Sequence, residues 1–149
     1  MKRREMLLAS GGAVLAAATG QAFAAEPAHE HGHQHIKTAN KNVDLVKSAN
    51  DCVLTAEPCL ASCLEVLGAG DKTMRECAES IIELSAVCAA LMKTAATGTK
   101  HLKQMAMVAK QVCLSCEEQC LKHKEYQQCL DCANACKKCA EVCDKYIGA

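Results

Sequence analysis

The run Cys129-Leu130-Asp131-Cys132-Ala133-Asn134-Ala135-Cys136-Lys137-Lys138-Cys139-Ala140-Glu141-Val142-Cys143 repeats a thiol at steps of three, four, three and four. An α-helix turns once in about 3.6 residues, so these five side chains share one face. The pattern recurs upstream. Cys113, Cys116 and Cys120 are three and four apart, and Cys52, Cys59 and Cys63 are seven and four apart. Cys77 and Cys88 are eleven apart, with Ile81 and Leu84 filling the stripe between them. In each segment cysteine occupies the positions a bundle ordinarily gives to leucine. The thiols are expected to face inward.

Outward from these stripes, Gly and Pro are scarce from about residue 40 to 96 and from 99 to 147, and apolar residues recur at three and four. No strand pattern interrupts them. Gly68-Ala69-Gly70 ends the first segment, and Thr73 with Glu76 offers a capping box for the second. Thr97-Gly98-Thr99 separates the second from the third, and the polar His123-Lys124-Glu125 precedes the fourth. Pro58 is expected to kink or divide the first helix near Leu54. Four helices of roughly 22 to 28 residues on short turns predict an all-α fold over residues 39–149, an antiparallel up-down-up-down four-helix bundle. Facing residues of an antiparallel hairpin keep one register. Cys63 with Cys77, Cys59 with Ile81, Ala56 with Leu84 and Cys52 with Cys88 all satisfy it. Cys120 with Cys129, Cys116 with Cys132 and Cys113 with Cys136 do the same for the second hairpin. The expected layers are Cys63, Cys77, Cys120 and Cys129 at the end holding the first and third turns; then Cys59, Cys116 and Cys132. Cys113 and Cys136 follow, then Cys52, Cys88 and Cys139, with Cys143 near the opposite mouth.

The amino-terminal residues read differently. Lys2, Arg3 and Arg4 precede the mildly apolar Leu7 to Ala18, and Ala22-Phe23-Ala24 supplies a signal-peptidase site. Arg3-Arg4 followed by Met6-Leu7-Leu8 reads as a twin-arginine signal, so residues 1–24 are expected to direct export of a folded chain. A general secretory signal leads out of the cytoplasm as well. Residues 25–38 form a tail in which His29, His31, His33 and His35 alternate with small or polar residues. Such a tail either collects Cu(II), Ni(II) or Zn(II) or is simply solvated. Without residues 1–24 the chain keeps 14 basic against 16 acidic residues, a net charge of about −2, which suggests neither nucleic acid nor an anionic membrane as partner. No second apolar segment is expected to be long enough to cross a membrane, and no membrane insertion is expected.

Thirteen cysteines, all after residue 51, dominate the chemistry, and Tyr126 and Tyr146 are the only aromatic residues after Phe23. Free cysteine packs as a small hydrophobe, which accounts for one or two buried thiols and not for 13. Disulfides suit an exported protein, but an odd count leaves one thiol unpaired. Thiols at i and i+4 of one helix also have nearly parallel Cβ vectors, unsuited to a relaxed bridge. Metal binding accounts for the pattern best. Thiolates select soft ions, and Cu(I) accepts linear or trigonal sites between parallel thiols one turn apart. Zinc prefers closed tetrahedral sites, for which the layer nearest the turns offers four sulfurs. Iron–sulfur clusters need thiolates converging from a loop around a bulky core. Buried thiolates need compensating charge, and one Cu(I) per thiolate leaves the core neutral. Roughly as many Cu(I) ions as cysteines are expected, with Cys52, Cys59, Cys63, Cys77, Cys88, Cys113, Cys116, Cys120, Cys129, Cys132, Cys136, Cys139 and Cys143 as ligands, and about one proton released per thiol. Met92 and Met105 should point inward at the end carrying Cys143, with His101 and Met107 nearby. Met92, His101 and Met105 are candidate ligands of a loading relay, although the two methionines equally fit as apolar plugs of the bundle end. Met74 and His123 lie at the other end.

The twin-arginine leader, the four short-looped helices and the inward CxxC and CxxxC steps resemble the bacterial copper storage proteins over essentially the whole chain after residue 24. The resemblance implies a tetramer of four-helix bundles filled with Cu(I). It also implies an exported store, periplasmic or on internal membranes, serving a cuproenzyme such as particulate methane monooxygenase through donor or acceptor proteins. An enzyme is not expected: no helix carries the inward Glu-x-x-His pair of a di-iron bundle, and no CxxC follows a strand. The alternatives are a zinc or general soft-metal buffer that detoxifies, and a disulfide-stapled structural bundle.

Overall fold

The structure, a computed structural model, describes residues 40–149. The expected leader (residues 1–24) and the histidine tail (residues 25–38) lie outside the described residues. Four helices follow in order: α1 Val43–Gly68, α2 Arg75–Thr97, α3 Leu102–Leu121 and α4 Gln127–Gly148. No strand occurs among the described residues. Each helix packs on two neighbours, α1 on α2, α2 on α3, α3 on α4 and α4 back on α1, while the diagonal pairs meet only through side chains on the axis, as Cys59 of α1 meets Cys120 of α3. The expected four-helix bundle is what forms.

The turns follow from backbone chemistry. Gly70 takes φ 91°, its N–H returning to the Leu67 carbonyl at 3.0 Å and that of Asp71 to Val66 at 3.3 Å. This paired closure of a helix end needs a residue free of a Cβ penalty. Gly98 does the same for α2 at φ 64°, and the N–H groups of Gly98 and Thr99 both reach the Thr94 carbonyl. The third turn needs no glycine. The His123 N–H bonds the Cys120 carbonyl at 3.0 Å, and that of Tyr126 bonds His123 at 3.0 Å.

Three local expectations are corrected. The Thr73–Glu76 capping box does not form, because the Asp71 carboxylate accepts the Thr73 N–H at 2.9 Å. α2 then begins only at Arg75, with no side-chain cap. Pro58 does not divide α1, which runs unbroken from Val43 to Gly68. Pro58 and Leu54 are both exposed, so the Leu54 carbonyl that loses its i+4 donor lies on the solvent side of the helix. Finally, α2 is long and apolar enough, at a mean hydropathy of 1.3, to cross a bilayer by length and composition. Its stripe of Cys77, Ile81, Leu84, Cys88, Leu91 and Ala95 is instead buried in the bundle.

Small residues fill the core. Ala49, Ala56, Ala106 and Ala109 are fully buried beside the cysteines, and the largest fully buried side chains are Met74, Ile81, Leu84 and Leu91. Tyr126 is exposed and Tyr146 half-buried against the edge of the core, so among the described residues no aromatic ring is fully buried. The axis of the bundle is therefore narrow and lined by sulfur.

Candidate metal centre

All 13 thiols are free and all are 0% exposed. They are not scattered. Cys59, Cys63, Cys77 and Cys129 have Sγ atoms within 4.8 Å of one another at the end of the bundle holding the first and third turns. Cys59 recurs in a second group with Cys120 and Cys132, and Cys132 recurs in a third with Cys116 and Cys136. Cys136 shares a hydrogen bond with Cys113, which belongs to a fourth group with Cys52, Cys88 and Cys139. Cys143 bonds Cys139 and ends the series. The sulfurs make one continuous thread.

The spacings within it are those of thiol–thiol contact. Cys59 donates to Cys129 at 3.4 Å, and the Cys77–Cys120, Cys116–Cys120, Cys88–Cys113 and Cys59–Cys120 pairs stand at 3.7, 3.8, 3.9 and 4.0 Å. A disulfide needs sulfurs about 2.05 Å apart. Both the i, i+4 pair on α3 and the cross-helix pairs lie within reach of a single small ion.

The layers differ in detail from the sequence register. Cys59, not Cys120, joins Cys63, Cys77 and Cys129, and Cys113 joins Cys52, Cys88 and Cys139 instead of standing with Cys136 alone. The Cα–Cβ bond of a helix leans toward its amino terminus. α3 and α4 run oppositely, so α3 thiols lean toward the mouth and α4 thiols toward the turns. Each α3 thiol consequently also reaches the α4 thiol one step nearer the mouth: Cys120 reaches Cys132, Cys116 reaches Cys136 and Cys113 reaches Cys139, while Cys116 keeps the expected Cys132 and Cys113 the expected Cys136.

Proton sharing shows how such a column behaves without metal. Burial, then the neighbouring Cys77, pushes the Cys63 thiol up to about 12. Hydrogen bonds from Cys120 and then Cys59 hold Cys77 down to about 3. Cys132, bonded by Cys116 and Cys120, and Cys139, bonded by Cys113 and Cys143, are also lowered. Cys136 is raised, with its bond to Cys113 the first cause, and Cys129 is raised by burial. A few sulfurs take the anionic role while their neighbours keep protons, because adjacent buried thiolates cannot all ionise uncompensated. A cation between sulfurs removes that restriction.

At the mouth, Met92 and Met105 are half-buried and packed against the core, as the spacing predicts. His101 is exposed immediately before α3, and Met107 is 49% exposed. The sequence reading undervalued Met74, which is 1% exposed. Its signal was present: Met74, Cys77, Ile81, Leu84 and Cys88 continue the three-four stripe back to the start of α2. His123 is half-buried at the same end, its backbone N–H bonding the Cys120 carbonyl at 3.0 Å.

The model of the copper storage protein family matches residues 38–148, the whole bundle. The chain belongs to the copper storage protein family. It is 29% identical over 103 residues to an uncharacterised cysteine-rich protein, YhjQ, of Bacillus subtilis, covering 66% of this chain and 88% of that one. It is also similar to the solved Cu(I)-bound copper storage protein BsCsp3, with 27% identity, a TM-score of 0.62, and 68% and 92% of the two chains covered. The apo form of copper storage protein 3 from Bacillus subtilis matches in fold, at 24% identity and a TM-score of 0.63 over 71% of this chain and 98% of that one. The copper storage family is named for holding metal and not for a reaction, in agreement with the non-enzymatic reading.

Proposed function

We propose that the bundle stores Cu(I) along its sulfur thread, at roughly one ion per cysteine, with all 13 cysteines as ligands. One observation carries the reading: every thiol is fully buried, free and within a few ångströms of another, from the turn end to the mouth. Groups of three sulfurs that share members suit trigonal and bridging Cu(I), and a one-to-one load neutralises the interior. The likeness to a Cu(I)-bound copper storage protein supports the same ion.

Several finer features belong to the proposal. Met92, His101 and Met105 pass copper inward at the mouth, thioether and imidazole holding it more loosely than thiolate. The chain leaves the cytoplasm by the twin-arginine route and serves a cuproenzyme such as particulate methane monooxygenase. Four copies assemble, covering apolar surface such as Leu54, Leu64 and Ile82, each more than half exposed.

The test is a titration of the reduced protein with Cu(I) against a chromophoric Cu(I) chelator. Uptake near 13 ions per chain before the chelator responds is the expected result. Saturation at one to four ions would overturn the storage reading.

A further inference from the structure

The four groups of sulfurs are not alike. Two hold three thiols, and two hold four: Cys59, Cys63, Cys77 and Cys129 near the turns, and Cys52, Cys88, Cys113 and Cys139 in mid-bundle. A tetrahedral divalent ion with metal–sulfur bonds of about 2.3 Å places its sulfurs about 3.8 Å apart. Both four-thiol groups, with every Sγ pair within 4.8 Å, come close to that spacing before any side chain moves.

Charge separates them. Four thiolates around a divalent cation leave two negative charges in a buried site, and mid-bundle nothing offsets them. Cys52, Cys88, Cys113 and Cys139 each occupy the tenth or a later position of their helices, far from any amino terminus. The turn end is different. Cys77 is the third residue of α2 and Cys129 the third of α4. Each helix start contributes about half a positive charge, and the effect is confined to the first turn, where these thiolates stand. The half-buried His123, whose backbone N–H bonds the Cys120 carbonyl, stands at the same end. Two helix starts, four convergent sulfurs and a histidine meet at one end of the bundle.

We infer that Cys59, Cys63, Cys77 and Cys129 form a discrete site for one tetrahedral divalent soft cation of the zinc class, and that the mid-bundle group does not. The inference deepens the storage reading, since it assigns a second kind of cargo to one part of the same thread. The ion replaces the protons of its four ligands and ties α1, α2 and α4 together. Cu(I) displaces it as the thread fills, since the same sulfurs then bridge monovalent ions without excess charge.

The experiment uses Co(II) alone as a spectroscopic probe of the reduced, copper-free protein, followed by Zn(II) alone in competition. The expected result is one Co(II) per chain, with the visible bands of a tetrahedral tetrathiolate, displaced by one Zn(II). Cys63→Ser, which touches this group only, should abolish those bands, whereas Cys88→Ser in the mid-bundle group should leave them unchanged. Far-UV circular dichroism and Cu(I) uptake are measured on both variants. A Cys63→Ser chain that stays helical and loses only about one Cu(I) of its load, as one ion per thiol requires, ties the lost bands to the lost site. Absence of tetrahedral bands in the parent protein, two ions per chain, or equal loss in Cys88→Ser would each overturn the inference while leaving copper storage intact. Retained Co(II) bands without copper uptake would instead overturn the storage reading alone.

Discussion

Cys63 shows what one buried thiol costs the empty bundle. Its thiol is raised to about 12, with burial the first cause, whereas an unfolded cysteine ionises near 8.5. Below the unfolded value both states keep the proton, and the folded state loses nothing. Between about pH 8.5 and 12 the unfolded chain releases a proton that the folded one retains, so stability falls with rising pH. The slope for this thiol is about 1.4 kcal/mol per pH unit. Denaturant unfolding of the metal-free protein at stepped pH should show the decline, and Cys63→Ser should be shallower by about that amount. An unchanged slope would remove Cys63 from the raised set. At this scale the sequence was legible in one respect and not in another. Spacing alone placed every cysteine inside, as 0% exposure confirms for each. It placed Cys63 with Cys77, Cys52 with Cys88 and Cys116 with Cys132, as the structure does, but not every meeting, because a one-dimensional register omits the lean of the side chain along its helix. Cys120 facing Cys132 and not Cys129 is the consequence.

At the scale of the element, the helices were readable wherever a stripe ran unbroken, and the ends were readable only where glycine marked them. Gly70 and Gly98 both stand at positive φ, as breaks at those positions require. The start of α2 was missed because two polar side chains competed for one task. Asp71, two residues before Thr73, captures its N–H through a local turn that a Thr-x-x-Glu pattern does not reveal. Pro58 was overweighted as a divider of α1 for a related reason: whether it breaks the helix depends on whether the freed carbonyl reaches water, and the sequence does not fix that. Glycine supplies the sharper test. Gly98→Ala places a Cβ at φ 64° and should cost about 1 kcal/mol. Gly68, the last residue of α1 with nothing within 4 Å of an added Cβ, should gain a few tenths of a kcal/mol as Gly68→Ala, roughly half or less of the interior value. Thermal melts of the two variants should therefore move in opposite directions. Movement of both in the same direction would contradict the backbone geometry assigned here to one of the two sites.

For the whole molecule, the choice of thiols over leucines trades core volume for ligand capacity. The described residues bury no Trp or Phe, and the inner stripes alternate Cys with Ala, as at Ala49 and Cys52 or Ala109 and Cys113. Apolar burial stabilises at about 25 cal/mol per Å², so a core of such small side chains gains less than a leucine-rich one. The antiparallel architecture was legible because two hairpin registers agreed independently. Export, tail and assembly rest on residues or partners outside the described bundle. Metal then becomes part of the fold's stability. An ion bridging sulfurs from different helices binds the native chain better than the unfolded one, which offers only neighbouring thiols. If each of 13 sites prefers the native state by only tenfold, each contributes about 1.4 kcal/mol. A third of the load then exceeds about 5 kcal/mol, comparable to the whole stability of a small domain. Melting followed by circular dichroism at zero, one-third and full Cu(I) load should rise by more than about 20 °C by the first loaded point. The rise should reverse when a Cu(I) chelator strips the metal. A loaded protein melting with the empty one would mean that copper binds within single helices and does not cross-link the bundle.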